Sequence, residues 1–241
     1  MTSRLNIILL MAIVIGFSAC KKEFADPIDF KYDYFPLDSG SVWLYDAEYI
    51  YVNEFNNSIK DTIYYQIKEV VGPSYIDQEG DEAVEIWRYE KIDTAQNWSP
   101  KLVWSAKRTT TQAEKTEDNL RFIKLVFAPQ VGVEWNGNTY LNVQNDIAFY
   151  EDWVYEYLEV DDANTVNGLT YDSTLLVLQV DDENLQRKKY SEEIYARHKG
   201  LVYKEEIFLE TIDEKITNPW TDPTKWKGGH ILKMHLVSYT N

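Results

Sequence analysis

Three histidines and several acidic doublets are the residues whose types and spacing could do chemistry in this chain. His230 and His235 stand five apart. On one regular strand that spacing points them to opposite faces, so they make no simple shared metal site. His198, just before Lys199-Gly200, reads as a turn or surface residue. The acidic groups are Asp161-Asp162, Asp181-Asp182-Glu183, Glu192-Glu193 and Glu205-Glu206. Glycoside cleavage needs two carboxylates about 5 to 9.5 Å apart across a cleft. Strand neighbours face opposite ways, so no doublet is such a pair in itself, and carboxylates from distant segments would have to meet. The stretch Asp162 to Gly168 has a faint calcium-loop pattern. Its ligand before the glycine comes one residue late, and position twelve is Ser173 where glutamate belongs, so a solvated hairpin turn is the better reading. Phosphate-cradling glycine loops, a G-x-S-x-G elbow and an H-E-x-x-H pair are all absent from the sequence. No cofactor and no metal is therefore expected, no catalytic residue can be named, and a non-enzymatic role is favoured.

Aromatic side chains are the other chemical resource, with 18 Tyr, 8 Trp and 9 Phe. They fill cores and pair across strands, and they also make platforms on which flat apolar faces such as sugar rings stack. Thr211 to Gly229 is a long connection that carries Trp220 and Trp226 among Pro219, Pro223 and Gly228-Gly229. Long connections in compact domains are often functional. These two rings either cover an open end of the core or face a ligand, and they are the candidate binding residues.

The elements that would position these groups are strands. Val42 to Val52, Thr62 to Val71 and Ala83 to Ile92 are rich in Tyr, Ile, Val and Trp, which suit a pleated, half-buried surface. Further runs are Lys101 to Lys107, Leu120 to Phe127, Trp153 to Val160, Thr174 to Val180, Leu201 to Leu209 and Ile231 to Tyr239. Turn signals separate them at Asn56-Asn57, Gly72-Pro73, Glu79-Gly80, Asn136-Gly137 and Asn167-Gly168. The pattern predicts an all-β fold, an antiparallel sandwich or barrel-like sheet, over residues 34–241. The frame F-x4-G-x2-W occurs twice, at Phe35 to Trp43 and at Phe127 to Trp135. That echo is the pattern a duplication into two related halves, 34–126 and 127–241, would leave.

Before this domain the chain reads as a leader and a tether. Ile7 to Phe17 is apolar or small throughout, too short to span a bilayer as a helix and right for the hydrophobic region of a secretory signal. Phe17-Ser18-Ala19-Cys20 resembles a bacterial lipobox, with a large apolar residue, two small residues and a cysteine. The resemblance implies cleavage after Ala19, a diacylglyceryl group on the Cys20 sulfur and acylation of its new amine. More than one chain is needed for stable anchoring, at about 0.8 kcal/mol per buried methylene. Cys20 is the only cysteine, so once acylated it leaves no disulfide possible. Residues 20–33 read as a charged tether.

Net charge is −16, from 24 basic and 40 acidic residues. Loss of residues 1–19 removes Arg4 and no acid, which makes the mature chain one unit more negative. Such a chain lacks the basic footprint of a nucleic-acid binder and is repelled by anionic lipid, so acyl chains would have to hold it to the membrane. The start Phe35-Pro36-Leu37 to Trp43-Leu44-Tyr45, the Gly200-Leu201-Val202 strand and the closing Leu232 to Tyr239 are similar to those of uncharacterised Bacteroidota lipoproteins. That resemblance implies an exported, lipid-anchored β module of the cell envelope, on the outer membrane, facing either the periplasm or the surface. It transfers no catalytic residue. The partners expected are the membrane, through the anchor, and a glycan, lipid or envelope protein; the rival readings are a polysaccharide hydrolase and a structural subunit of an outer-membrane assembly.

Overall fold

The structure is a computed structural model that describes residues 28–53, 60–93, 96–142, 148–211 and 219–241. Cys20, the leader and the turn signal at Asn56-Asn57 lie outside the described residues. The first six strands are β1 (Val42–Val52), β2 (Lys60–Ile76), β3 (Glu82–Lys91), β4 (Ser99–Arg108), β5 (Gln112–Glu117) and β6 (Leu120–Val126). The next six are β7 (Glu134–Trp135), β8 (Tyr155–Val166), β9 (Leu169–Glu183), β10 (Arg187–Ala196), β11 (Gly200–Thr211) and β12 (Trp226–Thr240). All twelve form one antiparallel sheet in the order β6-β5-β4-β3-β2-β1-β12-β11-β10-β9-β8-β7. The all-β expectation holds, and the barrel-like form is the one adopted.

Apart from β6 and β7, each strand pairs with its sequence neighbours, and β1 joins β12 along eleven residue pairs from Val42↔Thr240 to Val52↔Gly229. Six strands precede the second F-x4-G-x2-W frame and six include or follow it. At the far seam, between β6 and β7, the ring nearly closes. The Ile123 amide donates to the Gly137 carbonyl at 2.8 Å, and the Trp135 indole donates to the Ile123 carbonyl at 2.9 Å. The Tyr157 hydroxyl accepts from the Val126 amide and donates to its carbonyl, both at 2.9 Å. Side chains there satisfy backbone groups that a neighbouring strand would otherwise take.

Two expectations change. Gly72-Pro73 is not a turn: β2 runs through it with a register shift between Val71 and Ser74. The proline sits at this break, where a missing ladder donor is tolerated, and a Cβ on Gly72 would lie 2.9 Å from the Trp87 ring. Strands β5, β7 and β10 also lie outside the predicted runs. By contrast, Asn167 and Gly168 both take positive φ, at 46° and 80°, and close the β8–β9 hairpin as a two-residue turn. The calcium-like stretch is therefore the end of β8 and this turn.

Tyr34, Phe35, Trp43, Tyr45, Ile67, Leu125, Tyr155, Tyr157, Leu175 and Val177 belong to the main buried core. The segment from Asp29 caps one end of it. Arg197 pairs with Asp29 at 2.8 Å, Lys31 pairs with Asp161, and Arg108 donates to the carbonyls of Tyr32 and Phe35. Tyr34 is fully buried, its hydroxyl 2.6 Å from both Asp161 and Ser173.

Candidate functional site

Strand alternation splits the acidic doublets, and the two sets of halves build two different sites. Glu193 and Glu206 point inside; Glu192 and Glu205 point out.

Inside, the charges form a continuous alternating chain. Arg88 on β3 donates to Glu69 on β2 at 2.7 Å. Lys115 on β5 reaches Glu69 at 3.0 Å and Glu117 at 3.3 Å. Lys124 on β6 lies 3.5 Å from Glu117 and crosses the interior to Glu193 on β10 at 2.8 Å. Lys204 on β11 stands 3.9 Å from Glu193 and 3.5 Å from Glu206, and His230 on β12 meets Glu206 at 2.9 Å. Four carboxylates thus alternate with four Lys or Arg cations along this chain. Burial would raise Glu206, but Lys204 and His230 bring it down to about 2. Burial would likewise raise Glu117, and Lys124 and Lys115 hold it far below the usual carboxylate range. Lys124 keeps its proton against burial because Glu117 and Glu193 face it. The Tyr195 hydroxyl donates to Glu193 at 2.5 Å. Beneath the cap, Phe35, Pro36 and Leu37 cover a cavity of about 50 Å³ that this chain lines. It has room for a few water molecules and none for a ring-sized ligand.

Outside, register places polar and aromatic side chains in two rows across the sheet. In one row Gln66, Asp46, His235 and Tyr203 are successive cross-strand partners on β2, β1, β12 and β11. In the other, Tyr64, Glu48, Lys233, Glu205 and Glu192 run on to β10. Gln66 donates to Asp46 at 2.8 Å and Tyr64 to Glu48 at 3.0 Å. Lys233 pairs with Glu205 at 2.8 Å, and Tyr203 donates to the same carboxylate at 3.0 Å. Tyr190 donates to Glu192 at 2.6 Å. Burial pushes the Glu192 carboxyl up; the Tyr190 bond opposes this, and Glu205 and Glu159 add to the rise. Glu192 and Glu205 are thus a like-charged cross-strand pair in unlike surroundings. Over these rows lies a groove of about 650 Å³, with Val166 and Asn167 from the β8–β9 tip on its border. Register shifts at Tyr157/Glu159, Val160/Asp162 and Asp162/Asn164 interrupt that hairpin, and such bulges bend strands.

Trp220 and Trp226, the candidate binding residues, are 9% and 8% exposed. They pack with Val52, Leu209 and Ile231 in a separate hydrophobic cluster on the outer face at the other end of β1 and β12. As placed, they act as cover. His230 and His235 point to opposite faces: His230 joins the interior chain and His235 stands 3.9 Å from Asp46 outside. His198 sits in the β10–β11 turn with φ 59°. Asp77, Glu79 and Asp81 bring carboxylate oxygens within 4.8 Å of one another. The Lys107 ammonium occupies that position, at 2.8, 2.5 and 2.9 Å.

No protein-family model matches the chain, and no curated protein is similar to it in sequence. Among solved structures, a candidate lipoprotein of Parabacteroides distasonis aligns over 86% of this chain and 98% of its own, at 11% identity and a TM-score of 0.42. A candidate exported protein of Bacteroides fragilis with a YmcC-like fold aligns over the same shares, at 10% identity and a TM-score of 0.42.

Proposed function

We propose that this chain is a lipid-anchored protein of the bacterial cell envelope, held by acyl groups on Cys20, that works as a non-enzymatic binding module. The observation that carries the binding reading is the filled interior. A barrel-like sheet that carried its ligand inside would need an open lumen. Here, among the described residues, aromatic side chains and a balanced ion chain occupy that space around a cavity of about 50 Å³. Ligand contact then falls to the outer face, where aromatic and polar side chains stand exposed in register. The acidic surface gives no hold on anionic lipid, so the acyl anchor alone keeps the protein at the membrane, with the outer membrane as its site. The ligand class is a glycan, a lipid or an envelope protein. Fractionation of the Cys20→Ala chain tests the anchor: it should leave the membrane fraction, and unchanged fractionation would sink the proposal. A pull-down from native membranes with the mature chain tests the binding.

A second reading has one observation in its favour. Glu192, whose carboxyl burial pushes up, stands opposite Glu205, which pairs with Lys233 at 2.8 Å, and two carboxylates in unlike surroundings are what glycoside cleavage by an acid–base pair needs. Incubation with polysaccharide and measurement of new reducing ends tests it. Release that is lost in Glu192→Gln would favour the hydrolase.

A further inference from the structure

We infer that the outer groove over β2, β1, β12 and β11 is a binding site for a neutral glycan chain. This rests on the binding-module reading above and names the ligand class for it.

The groove's volume, about 650 Å³, lies in the range of small-molecule sites. Its rows run across strands about 4.8 Å apart, so from β2 to β11 the polar track is roughly 14 Å long. That is an elongated track, suited to a chain of linked rings.

The side chains along it match a sugar's two kinds of surface. Tyr64 is 66% exposed, so its ring face is open for stacking against the C–H face of a pyranose. Beside it stand acceptors, Asp46 and Glu48, and donors, Gln66 and Asn167. Sugar hydroxyls both donate and accept, and a mixed set of planar polar groups serves them.

The competing ligand classes fit less well. An anionic ligand would meet Asp46 and Glu48, while the groove's lysine, Lys233, is already paired with Glu205; a cation would have to displace the donors Gln66 and Tyr64 that these carboxylates hold. A lipid tail wants a continuous apolar floor, whereas Asp46, Gln66 and His235 cross this one. A peptide commonly joins a sheet by adding a strand to an open edge. Strands β1 and β12 are paired on both sides, as are β2 and β11, so no edge is on offer here.

The test uses the mature chain on an array of neutral gluco-, manno-, galacto- and xylo-oligosaccharides, followed by calorimetric titration of the best binder. Tyr64→Ala and Gln66→Ala are made in parallel; both side chains lie on the outer surface, and melting temperatures check that the fold is intact. The expected result is binding of at least one neutral oligosaccharide, weakened about tenfold by each substitution, which corresponds to about 1.4 kcal/mol. Binding that neither substitution changes would overturn the site. Preference for oligolysine or an anionic glycan would overturn the ligand class. A silent array with a membrane pull-down that still captures a protein, and loses it in Tyr64→Ala, would overturn the glycan and leave the binding module standing. Silence in both would remove both.

Discussion

Replacing Glu193 by glutamine tests the interior most severely. Its side chain is 1% exposed and pairs with Lys124 at 2.8 Å and Lys204 at 3.9 Å while accepting from Tyr195 at 2.5 Å. Glutamine keeps the shape and removes the charge, which leaves two buried ammonium groups facing a neutral amide. Breaking a buried pair this way costs about 3–5 kcal/mol, because the chain is left with four cations to three carboxylates. A domain of this size loses about 2–4 °C of melting temperature per kcal/mol, so the midpoint should fall by roughly 6–20 °C. Adding Lys124→Met restores the balance, since three carboxylates then face three cations along the chain. The double variant should be more stable than the sum of the single losses by at least about 1 kcal/mol. Urea unfolding followed by tryptophan fluorescence measures the parent, the two single variants and the double variant. If Glu193→Gln cost under about 0.5 kcal/mol, the buried chain would not exist as described.

Three further outcomes follow from the same contacts. Glu206 is held at about 2 against an ordinary 4.5, so the stability it contributes is present above pH 4.5 and is lost as pH falls towards 2. Thermal melts should drop across that window, and a flat profile there would contradict the Lys204 and His230 pairing. Trp226→Ala should cost about 3–5 kcal/mol by opening the outer cluster, whereas a small loss in urea unfolding would return Trp226 to the ligand reading. Lys107→Ala leaves Asp77 and Asp81 without their central ammonium while Arg121 still holds Glu79, so the variant should melt below the parent, and an unchanged melting temperature would contradict the cluster.

Much of the fold was legible because the outer rows and the aromatic core obey simple alternation. Val42–Val52 reads as a strand and is one, to the residue. Strands β5 and β10 were hidden for the reason that makes this protein distinctive. Gln112–Glu117 and Arg187–Ala196 place Lys115, Glu117 and Glu193 where apolar residues would stand in an ordinary core, so their hydrophobic period vanishes. The halves of the doublets were correctly denied a shared face, but which distant halves meet is set by register. Glu192 opposes Glu205 only because β10 pairs with β11 in the observed alignment. The groove carried a fainter signal: Asp46-x-Glu48 on β1 and Tyr64-x-Gln66 on β2 each repeat at two residues and so share one face. Only the β1–β2 pairing shows that the two pairs stand opposite each other. Trp220 and Trp226 were conspicuous by type and loop position, and their burial depends on a strand end that local sequence does not specify.

The central claim is that ligand is met on the outer face and never in the interior. A photoreactive phenylalanine analogue placed at Tyr64, in the groove, and separately at Leu37, over the interior cavity, tests it in native membranes. The account predicts crosslinked envelope material from position 64 and none from position 37. Adducts from position 37 alone would contradict it.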